Sequence, residues 1–174
     1  MNKLPLDKLK TIELLAFDYD GVFTDGTILI DAAGNMLRQG HAKDGFAVQW
    51  ACKQGIPLAI ITGGREPSVE ARMRGLGIEE VHLGCHDKLA VLSDLSQRSG
   101  IPLESMAYMG DDMPDKLALQ HVGLSCCPAD AAADILPLCD YVSSIKGGHG
   151  CVRELIEGFM KAKGVWNGKG QTNW

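Results

Sequence analysis

Short apolar runs that end abruptly at glycine, hydroxyl or carboxylate residues recur along this chain and alternate with helical patterns. The apolar runs lie at residues 12–17, 56–61, 81–83, 106–109, 123–125 and 141–143. The helical patterns lie at about 45–54, 66–76, 87–98, 114–120 and 150–163. Continuous apolar runs are typical of parallel strands buried on both faces. The alternation therefore predicts an α/β fold, with a parallel sheet covered by helices on both sides.

One segment, at about residues 26–40, interrupts this alternation. Thr27–Asp31 and Met36–Gln39 flank a turn sequence that contains Gly34 and Asn35. Two short strands around such a turn are typical of a β-hairpin. We expect the hairpin to project after the first strand, either as a flap over the site or as a contact between subunits.

Length and charge limit the classes of protein that this chain can belong to. At 174 residues and 45% hydrophobic content, we expect one domain over residues 1–174, without a separate lid. A formal net charge of −5 argues against a nucleic-acid partner. The apolar stretches are too short for a membrane span or a signal peptide, which predicts a cytoplasmic protein with reduced cysteines. Residues 164–174 are predicted to form a tail, with Trp166 and Trp174 either loosely docked or packed across a subunit interface.

Carboxylates follow two of the predicted strands. Asp18 and Asp20 come directly after the first run, and Asp111 and Asp112 come directly after the run at 106–109. Paired carboxylates can divide the work of attack, metal binding and proton transfer. Oxygen ligands from two strand ends suit Mg²⁺, especially where a substrate phosphate completes the coordination. The alternative for each pair is an ordinary polar loop with a helix-capping aspartate.

Two further signals indicate a phosphate site. Thr62 ends the second run and precedes Gly63 and Gly64, so a hydroxyl and successive backbone N–H groups can meet a phosphate oxygen. Lys88 lies at a predicted helix start, where the helix dipole does not favour a cation, which hints at a function. The alternatives are a plain strand-to-helix connection and a solvated lysine.

Taken in order, these motifs resemble the haloacid dehalogenase-like phosphatase superfamily. The order is Asp-x-Asp-Gly, Thr-Gly, Lys and Gly-Asp-Asp-x-x-Asp, within residues 12–145. The strings DYDGVFTDG at 18–26 and KGGHGCVRE at 146–154 are similar to the family of 3-deoxy-D-manno-octulosonate 8-phosphate phosphatases. The resemblance implies a Rossmann-like three-layer core without a cap domain, a Mg²⁺ cofactor and a homotetramer whose neighbouring subunits help cover the active site. It implies hydrolysis of that sugar-acid phosphate in lipopolysaccharide precursor synthesis.

The resemblance also implies roles for single residues. Asp18 would be the nucleophile that forms an aspartyl-phosphate, and Asp20 would protonate the leaving sugar oxygen and then activate water. Asp18, the Asp20 carbonyl and Asp111 would bind Mg²⁺, and Asp112 would orient Lys88 or the metal waters. Thr62 and Lys88 would bind phosphate and assist catalysis. The further substrate-binding residues implied are Gly63, Arg65, Arg72, His41, Asp44 and Arg153.

The chain departs from the family pattern near the expected sugar end. His41 and Lys43 stand where the family commonly has Asn and Arg, and Gly64 takes the place of an arginine, with Arg65 next. A nine-carbon, sialic-acid-type 9-phosphate is therefore an alternative substrate. A phosphoacceptor signalling domain is an alternative of another class. Asp20 argues against it, because an acid/base beside the nucleophile speeds loss of the phosphoryl group.

Overall fold

A six-stranded parallel sheet forms the centre of the molecule. The computed structural model of the chain describes residues 4–168, 170 and 171. The strands are β1 (Leu14–Phe17), β4 (Leu58–Ile61), β5 (Glu80–His82), β6 (Met106–Met109), β7 (Leu124–Cys127) and β8 (Tyr141–Val142). Their order across the sheet is β5-β4-β1-β6-β7-β8, and every pair is parallel. The predicted parallel α/β sheet is confirmed.

Helices cover both faces of this sheet and complete three layers. They are α1 (Leu6–Thr11), α2 (Ala42–Lys53), α3 (Pro67–Gly75), α4 (Lys88–Ser99), α5 (Lys116–His121) and α6 (Cys151–Ala162). Single 3₁₀ turns lie at Leu103–Ser105, Met113–Asp115 and Leu136–Leu138. Buried residues of α1, α2, α3 and α6 pack on one face, and those of α4 and α5 pack on the other. The short helix α1 was not among the helices expected from the sequence.

Strand β1 explains why the predicted strands read as continuous apolar runs. Leu15 and Phe17 pack into the core on one face, whereas Leu14 and Ala16 pack into the core on the other. All four residues are buried, because alternate side chains of a strand point to opposite faces and both faces carry helices. The sheet therefore separates two hydrophobic cores.

The strand order places a ligand crevice beside β1. In chain order the six sheet strands run 3-2-1-4-5-6 across the sheet, the doubly wound Rossmann order, which reverses direction at β1. Phe17, the last residue of β1, is in register with Ile60 of β4 and Met109 of β6. The loops that follow these three strands therefore meet at one edge of the sheet, where such folds bind ligands.

The predicted hairpin is present, but its strands are shorter than expected. Strands β2 (Leu29–Ile30) and β3 (Met36–Leu37) pair antiparallel around a turn whose backbone N–H groups donate to the Asp31 carboxylate. Leu29 and Ile30 are 65% and 66% exposed. In the part of the chain that the structure describes there is no cap domain, and no helix has the length and apolar character that crossing a membrane requires.

Part of the predicted C-terminal tail packs against the domain. Trp166 is buried, and its backbone carbonyl accepts a hydrogen bond from Trp50 Nε1 at 3.0 Å. Its ring meets Phe46 edge to face and lies under the Arg153 guanidinium. Trp166 therefore docks firmly on its own chain rather than loosely, and packing across a subunit interface stays a prediction. Trp174 lies outside the described residues.

Candidate active site

The loop after β1 brings Asp18 to the carboxyl edge of the sheet. The Asp18 backbone N–H donates to the Met109 carbonyl at 2.9 Å, which extends the β1–β6 pairing to this residue. Gly21 then turns the chain with a φ of +82°, and a Cβ there would lie 2.0 Å from Asp111 Oδ2. Glycine is required at position 21, because a side chain would collide with the carboxylate that follows β6.

Lys88 connects the carboxylates behind this loop. Its Nζ lies 3.0 Å from Asp18 Oδ1 and 2.5 Å from Asp115 Oδ1, and its side chain is 3% exposed. Lys88 is the first residue of α4, and Asp87 caps that helix by accepting from the Ala90 N–H. A buried ammonium at a helix start is stable here because two carboxylates face it.

Asp115 is a buried carboxylate whose acceptor sites are already filled. Its Oδ1 accepts from Lys88 and from the Tyr108 hydroxyl at 2.6 Å. Its Oδ2 accepts from the backbone N–H groups of Asp111 and Asp112, at 3.0 and 3.3 Å. Burial raises the pKa of Tyr108 well above its usual value, which keeps the hydroxyl protonated as a donor. Asp115 therefore positions Lys88 and the loop after β6.

The electrostatics of the cluster favour an added cation. Burial, together with the neighbouring charge of Asp115, raises the pKa of Asp18 to about 7. Burial and the charges of Asp18 and Asp115 raise the pKa of Asp111 to about 7. Burial alone lowers the pKa of Lys88, but the same two carboxylates raise it above its usual value. The cluster holds three carboxyl groups and one lysine, which contacts only Asp18 and Asp115, so the negative charge is only partly compensated.

The donor set suits Mg²⁺. Oxygen atoms of Asp18, Asp111 and Asp115 all lie within 4.8 Å of one another. Because Asp115 is saturated by hydrogen bonds, Asp18 and Asp111 are the two with oxygens left for a cation. Asp112, predicted near the metal, is exposed, and its Oδ1 caps the 3₁₀ turn by accepting from the Met113 N–H.

The predicted phosphate turn follows β4. Thr62 is 2% exposed, and its Oγ1 accepts from the Gly64 N–H at 3.1 Å, so the hydroxyl hydrogen remains available as a donor. Gly63 is exposed, and the Thr62 carbonyl accepts from the Cys85 N–H at 2.9 Å. The turn therefore offers a hydroxyl and a backbone amide beside the strand that carries Asp18.

Arg38, which sequence reasoning missed, binds the Asp20 side chain. Its Nε lies 2.7 Å from Asp20 Oδ1 and its Nη2 lies 3.0 Å from Asp20 Oδ2. Arg38 follows β3, so it reaches Asp20 from the hairpin across 18 residues of sequence. The only signal in the sequence was its position in the second predicted strand of the hairpin, which was expected either to cover the site or to contact another subunit.

Three predicted substrate-binding residues lie at the start of α6 or α2. The Asp44 carboxylate is buried and accepts from the Arg153 N–H at 2.7 Å in the first turn of α6. His41 Nδ1 lies 3.5 Å from Asp44 Oδ2. The Arg153 guanidinium lies over the rings of Phe46 and Trp166 and pairs with Glu157. These contacts hold helices together within one chain.

The two other predicted arginines keep exposed side chains near the site. Arg65 follows the phosphate turn, and its Nη2 lies 3.2 Å from His86 Nε2. The Arg72 guanidinium lies against Gly40 and Gly45, where a Cβ would come within 3.3 and 3.1 Å of it. The absence of side chains at these two glycines leaves room for Arg72.

The late glycine motif supports the nucleophile loop. The Gly148 N–H donates to the Val22 carbonyl at 3.0 Å. A Cβ on Gly147 would lie 1.9 Å from the Gly21 carbonyl oxygen, so the two backbones pack directly together. The segment before α6 therefore holds the turn at Gly21 in place.

Fold and site together define a haloacid dehalogenase-like hydrolase, and the family of that description matches residues 78–155. The 3-deoxy-D-manno-octulosonate 8-phosphate phosphatase of Salmonella typhi is 39% identical over 168 residues, which cover 96% of this chain and 89% of the relative. The corresponding protein of Escherichia coli K12 is 39% identical over 166 residues, 95% of this chain and 88% of the relative. The chain belongs to this phosphatase family.

Solved structures agree with this assignment. The crystal structure of 3-deoxy-D-manno-octulosonate 8-phosphate phosphatase from Yersinia pestis has a TM-score of 0.91 and 36% identity, covering 94% of this chain and 88% of that one. The protein from Moraxella catarrhalis, in complex with magnesium, phosphate and KDO (3-deoxy-D-manno-octulosonate), has a TM-score of 0.89 and 35% identity, covering 93% of each chain. The predicted family is confirmed, which favours the phosphatase over the signalling alternative.

Proposed function

We propose that this chain is a Mg²⁺-dependent phosphatase that hydrolyses 3-deoxy-D-manno-octulosonate 8-phosphate to the free sugar acid and phosphate, in lipopolysaccharide precursor synthesis. The observation that carries the proposal is the buried Lys88, held between Asp18 and Asp115 at the strand edge. A nucleophilic carboxylate and a cation at one point suit phosphoryl transfer, which depends on positioning and on charge neutralisation.

The reaction proceeds in two displacements at phosphorus, with Asp18 as the nucleophile of the first and the leaving group of the second. A carboxylate oxygen of Asp18 attacks phosphorus, the bond from phosphorus to the sugar oxygen breaks, and Asp20 gives its proton to that oxygen. Asp20, now a carboxylate, takes a proton from water, whose oxygen attacks phosphorus and displaces Asp18. The products are the free sugar acid and phosphate, and both side chains return to their starting state.

The phosphate group lies among Lys88, Thr62 and the turn at Gly63. Thr62 donates its hydroxyl hydrogen, and the exposed Gly63 contributes its backbone amide. Lys88 neutralises negative charge that spreads over the phosphoryl oxygens as the bond to the sugar breaks. Because Asp115 and Tyr108 hold Lys88 and its surroundings rigidly, little reorganisation is needed during the reaction.

Asp18, the Asp20 carbonyl and Asp111 would hold Mg²⁺. When bound, the ion would supply positive charge to the phosphoryl group and help to orient it. Gly21 makes room for this site, because its lack of a side chain lets the Asp18 loop and Asp111 approach each other. Asp112 contributes through the turn that it caps, and so keeps the backbone amides directed at Asp115.

The sugar-acid end of the substrate faces Arg65 and Arg72. Both arginines have exposed side chains, and a sugar carboxylate is a suitable partner for a guanidinium. His41, Asp44 and Arg153 support this end indirectly, through the contacts that join α2 to α6. A substrate contact by these three residues remains a prediction from the sequence.

The working enzyme is a homotetramer whose neighbouring subunits cover the active site. The exposed apolar side chains of the hairpin support this proposal, because such a patch on a small domain marks an interaction surface. The members of the patch are Ile28, Leu29, Ile30, Met36 and Leu37. Light scattering on the purified protein tests the assembly, and a monomer at micromolar concentration would contradict it. The cytoplasmic location remains a prediction.

Phosphate release tests the proposed function directly. We expect kcat/KM to be highest for 3-deoxy-D-manno-octulosonate 8-phosphate and to fall to background when EDTA removes Mg²⁺. The matched comparison is a nine-carbon sugar-acid 9-phosphate, assayed at the same enzyme and metal concentrations. A clear preference for nine carbons would overturn the substrate, and no release from either phosphate would overturn the activity.

A further inference from the structure

The Arg38 side chain turns from the hairpin into the active site. The neighbouring residues of β3, Met36 and Leu37, are exposed, yet the Arg38 side chain is only 7% exposed. A buried guanidinium must be paired with carboxylates, because an unpaired buried charge is strongly unfavourable. Arg38 is therefore held by specific partners rather than by solvent.

Those partners surround the guanidinium on several sides. Two parallel bonds join Arg38 to Asp20, Nε to Oδ1 at 2.7 Å and Nη2 to Oδ2 at 3.0 Å. Nη2 also lies 3.2 Å from Glu66 Oε2, and Nη1 donates to the Met36 carbonyl at 3.2 Å. A planar fork bound in this way fixes both the position and the rotation of the carboxyl group it holds.

Asp20 depends on this fork for its orientation. Thr24 Oγ1 lies 3.5 Å from Asp20 Oδ1, at the outer limit of a hydrogen bond, so Arg38 makes the shorter contacts. Asp20 is partly exposed at the edge of the site, where a carboxyl side chain without such contacts would rotate among several rotamers.

We propose that Arg38 is a positioning residue for Asp20, and that it holds the Asp20 carboxyl group in the direction needed to give a proton to the leaving oxygen of the substrate. The proposal rests on the role of Asp20 in the proposed function. In that step the proton passes from Asp20 to the sugar oxygen as the phosphorus–oxygen bond breaks. While one Asp20 oxygen carries the proton, the other still accepts from Arg38. The hairpin is thereby coupled to proton transfer.

Through Glu66, Arg38 also contacts the segment that follows the phosphate turn. Glu66 directly precedes α3, and its Oε2 also accepts from the Arg65 N–H at 3.1 Å. Arg38 thus joins the hairpin, the Asp20 loop and the segment after the phosphate turn. The Glu66→Gln variant weakens this contact without removing either bond to Asp20, so we expect a smaller effect of the same kind.

The dependence on the leaving group tests the proposal. The sugar 8-phosphate leaves as a poor alkoxide and needs a proton, whereas p-nitrophenyl phosphate leaves as a stable phenolate without one. In Arg38→Met we expect kcat/KM for the sugar phosphate to fall by about 10²-fold or more. We expect kcat/KM for p-nitrophenyl phosphate to fall less than about 10-fold, because kcat/KM reports the steps up to release of the leaving group and not the later attack of water, in which Asp20 also acts with both substrates. Arg38→Lys keeps the charge but not the fork, so we expect a smaller selective loss.

The remaining outcomes separate the proposal from its alternatives. Equal losses of kcat/KM on both substrates would make Arg38 merely structural. A rise in KM with unchanged kcat would make Arg38 a substrate-binding residue. Each of these results overturns the proposal. If Arg38→Met does not fold, the Arg38→Lys comparison decides by the same ratio. Arg98→Met is the matched control, because Arg98 makes a similar fork to Glu80 and both of its activities should persist. Wild-type protein inactive on both substrates would instead contradict the proposed function.

Discussion

Replacing Gly21 by alanine should damage the metal site far more than it damages the fold. A Cβ at this position would lie 2.0 Å from Asp111 Oδ2, whereas ordinary contact begins at 3.4 Å, so the Asp111 carboxylate must move by about 1.4 Å. Displacements of about 1 Å can cost about 100-fold in rate. We therefore expect kcat to fall roughly 100-fold, and the Mg²⁺ concentration at half-maximal activity to rise.

Gly26→Ala supplies the matched control for this experiment. Gly26 also has a positive φ, +76°, but a Cβ there would lie 3.9 Å from its nearest neighbour, which belongs to the Gly21 backbone. The left-handed backbone should cost each variant roughly 1–2 kcal/mol. For a chain of this length that cost lowers the melting temperature by about 2–8 °C. Phosphate release against Mg²⁺ concentration, together with thermal unfolding, separates the two effects. Equal activity in the two variants would refute the reasoning.

Three further changes test the charges and contacts around the site. Lys88→Met leaves the two buried carboxylates of Asp18 and Asp115 without their cation, so we expect the free energy of unfolding to fall by about 3–5 kcal/mol and kcat/KM to fall about 10²-fold or more. The surface control Lys161→Met should lower the free energy of unfolding by under about 1 kcal/mol. Similar losses of stability in both variants would contradict the buried ion pairs of Lys88. Because the pKa values of Asp18 and Asp111 are raised to about 7 in the folded chain, the metal-free fold binds extra protons and loses stability as pH rises from about 4 to about 7. Mg²⁺ at 100 times its Kd should stabilise the fold by about 2.7 kcal/mol. At one fixed Mg²⁺ concentration the gain in melting temperature should be larger at alkaline than at acidic pH, because protons compete with the ion for these carboxylates; a gain independent of pH would contradict this. Asp44→Ala removes an acceptor at the start of α6, so we expect the free energy of unfolding to fall by about 1–2 kcal/mol. A raised KM would support the substrate contact predicted from the sequence, and an unchanged KM would contradict it.

The sequence predicted the parts of this molecule that local patterns encode. Buried parallel strands appear as continuous apolar runs, and the polar residues that end β1, β4 and β6 meet at one edge because all three strands are parallel. Asp18, Thr62 and Asp111 could therefore be placed together in advance, whereas Lys88 was placed with them by the family resemblance. Helix α1 was missed because its six residues, LDKLKT, are half charged and bury only Leu9.

Contacts between distant segments could not be predicted in the same way. Asp115 was noted within the motif, but its burial depends on the 3₁₀ turn that directs it at Lys88 and Tyr108. Arg38 reaches Asp20 only because the hairpin folds back over the site. Trp166 packs against Phe46, which lies far away in the sequence, so no spacing indicated it.

The central claim, that Asp18 forms a covalent phosphoryl intermediate, is tested most directly by phosphate release from 3-deoxy-D-manno-octulosonate 8-phosphate in wild-type protein and in Asp18→Asn. Both proteins are assayed at saturating Mg²⁺, with circular dichroism to confirm that each is folded. We predict steady turnover by the wild-type protein and release at background by the folded variant, because an amide is not a competent nucleophile. Undiminished release by purified, folded Asp18→Asn would contradict the account.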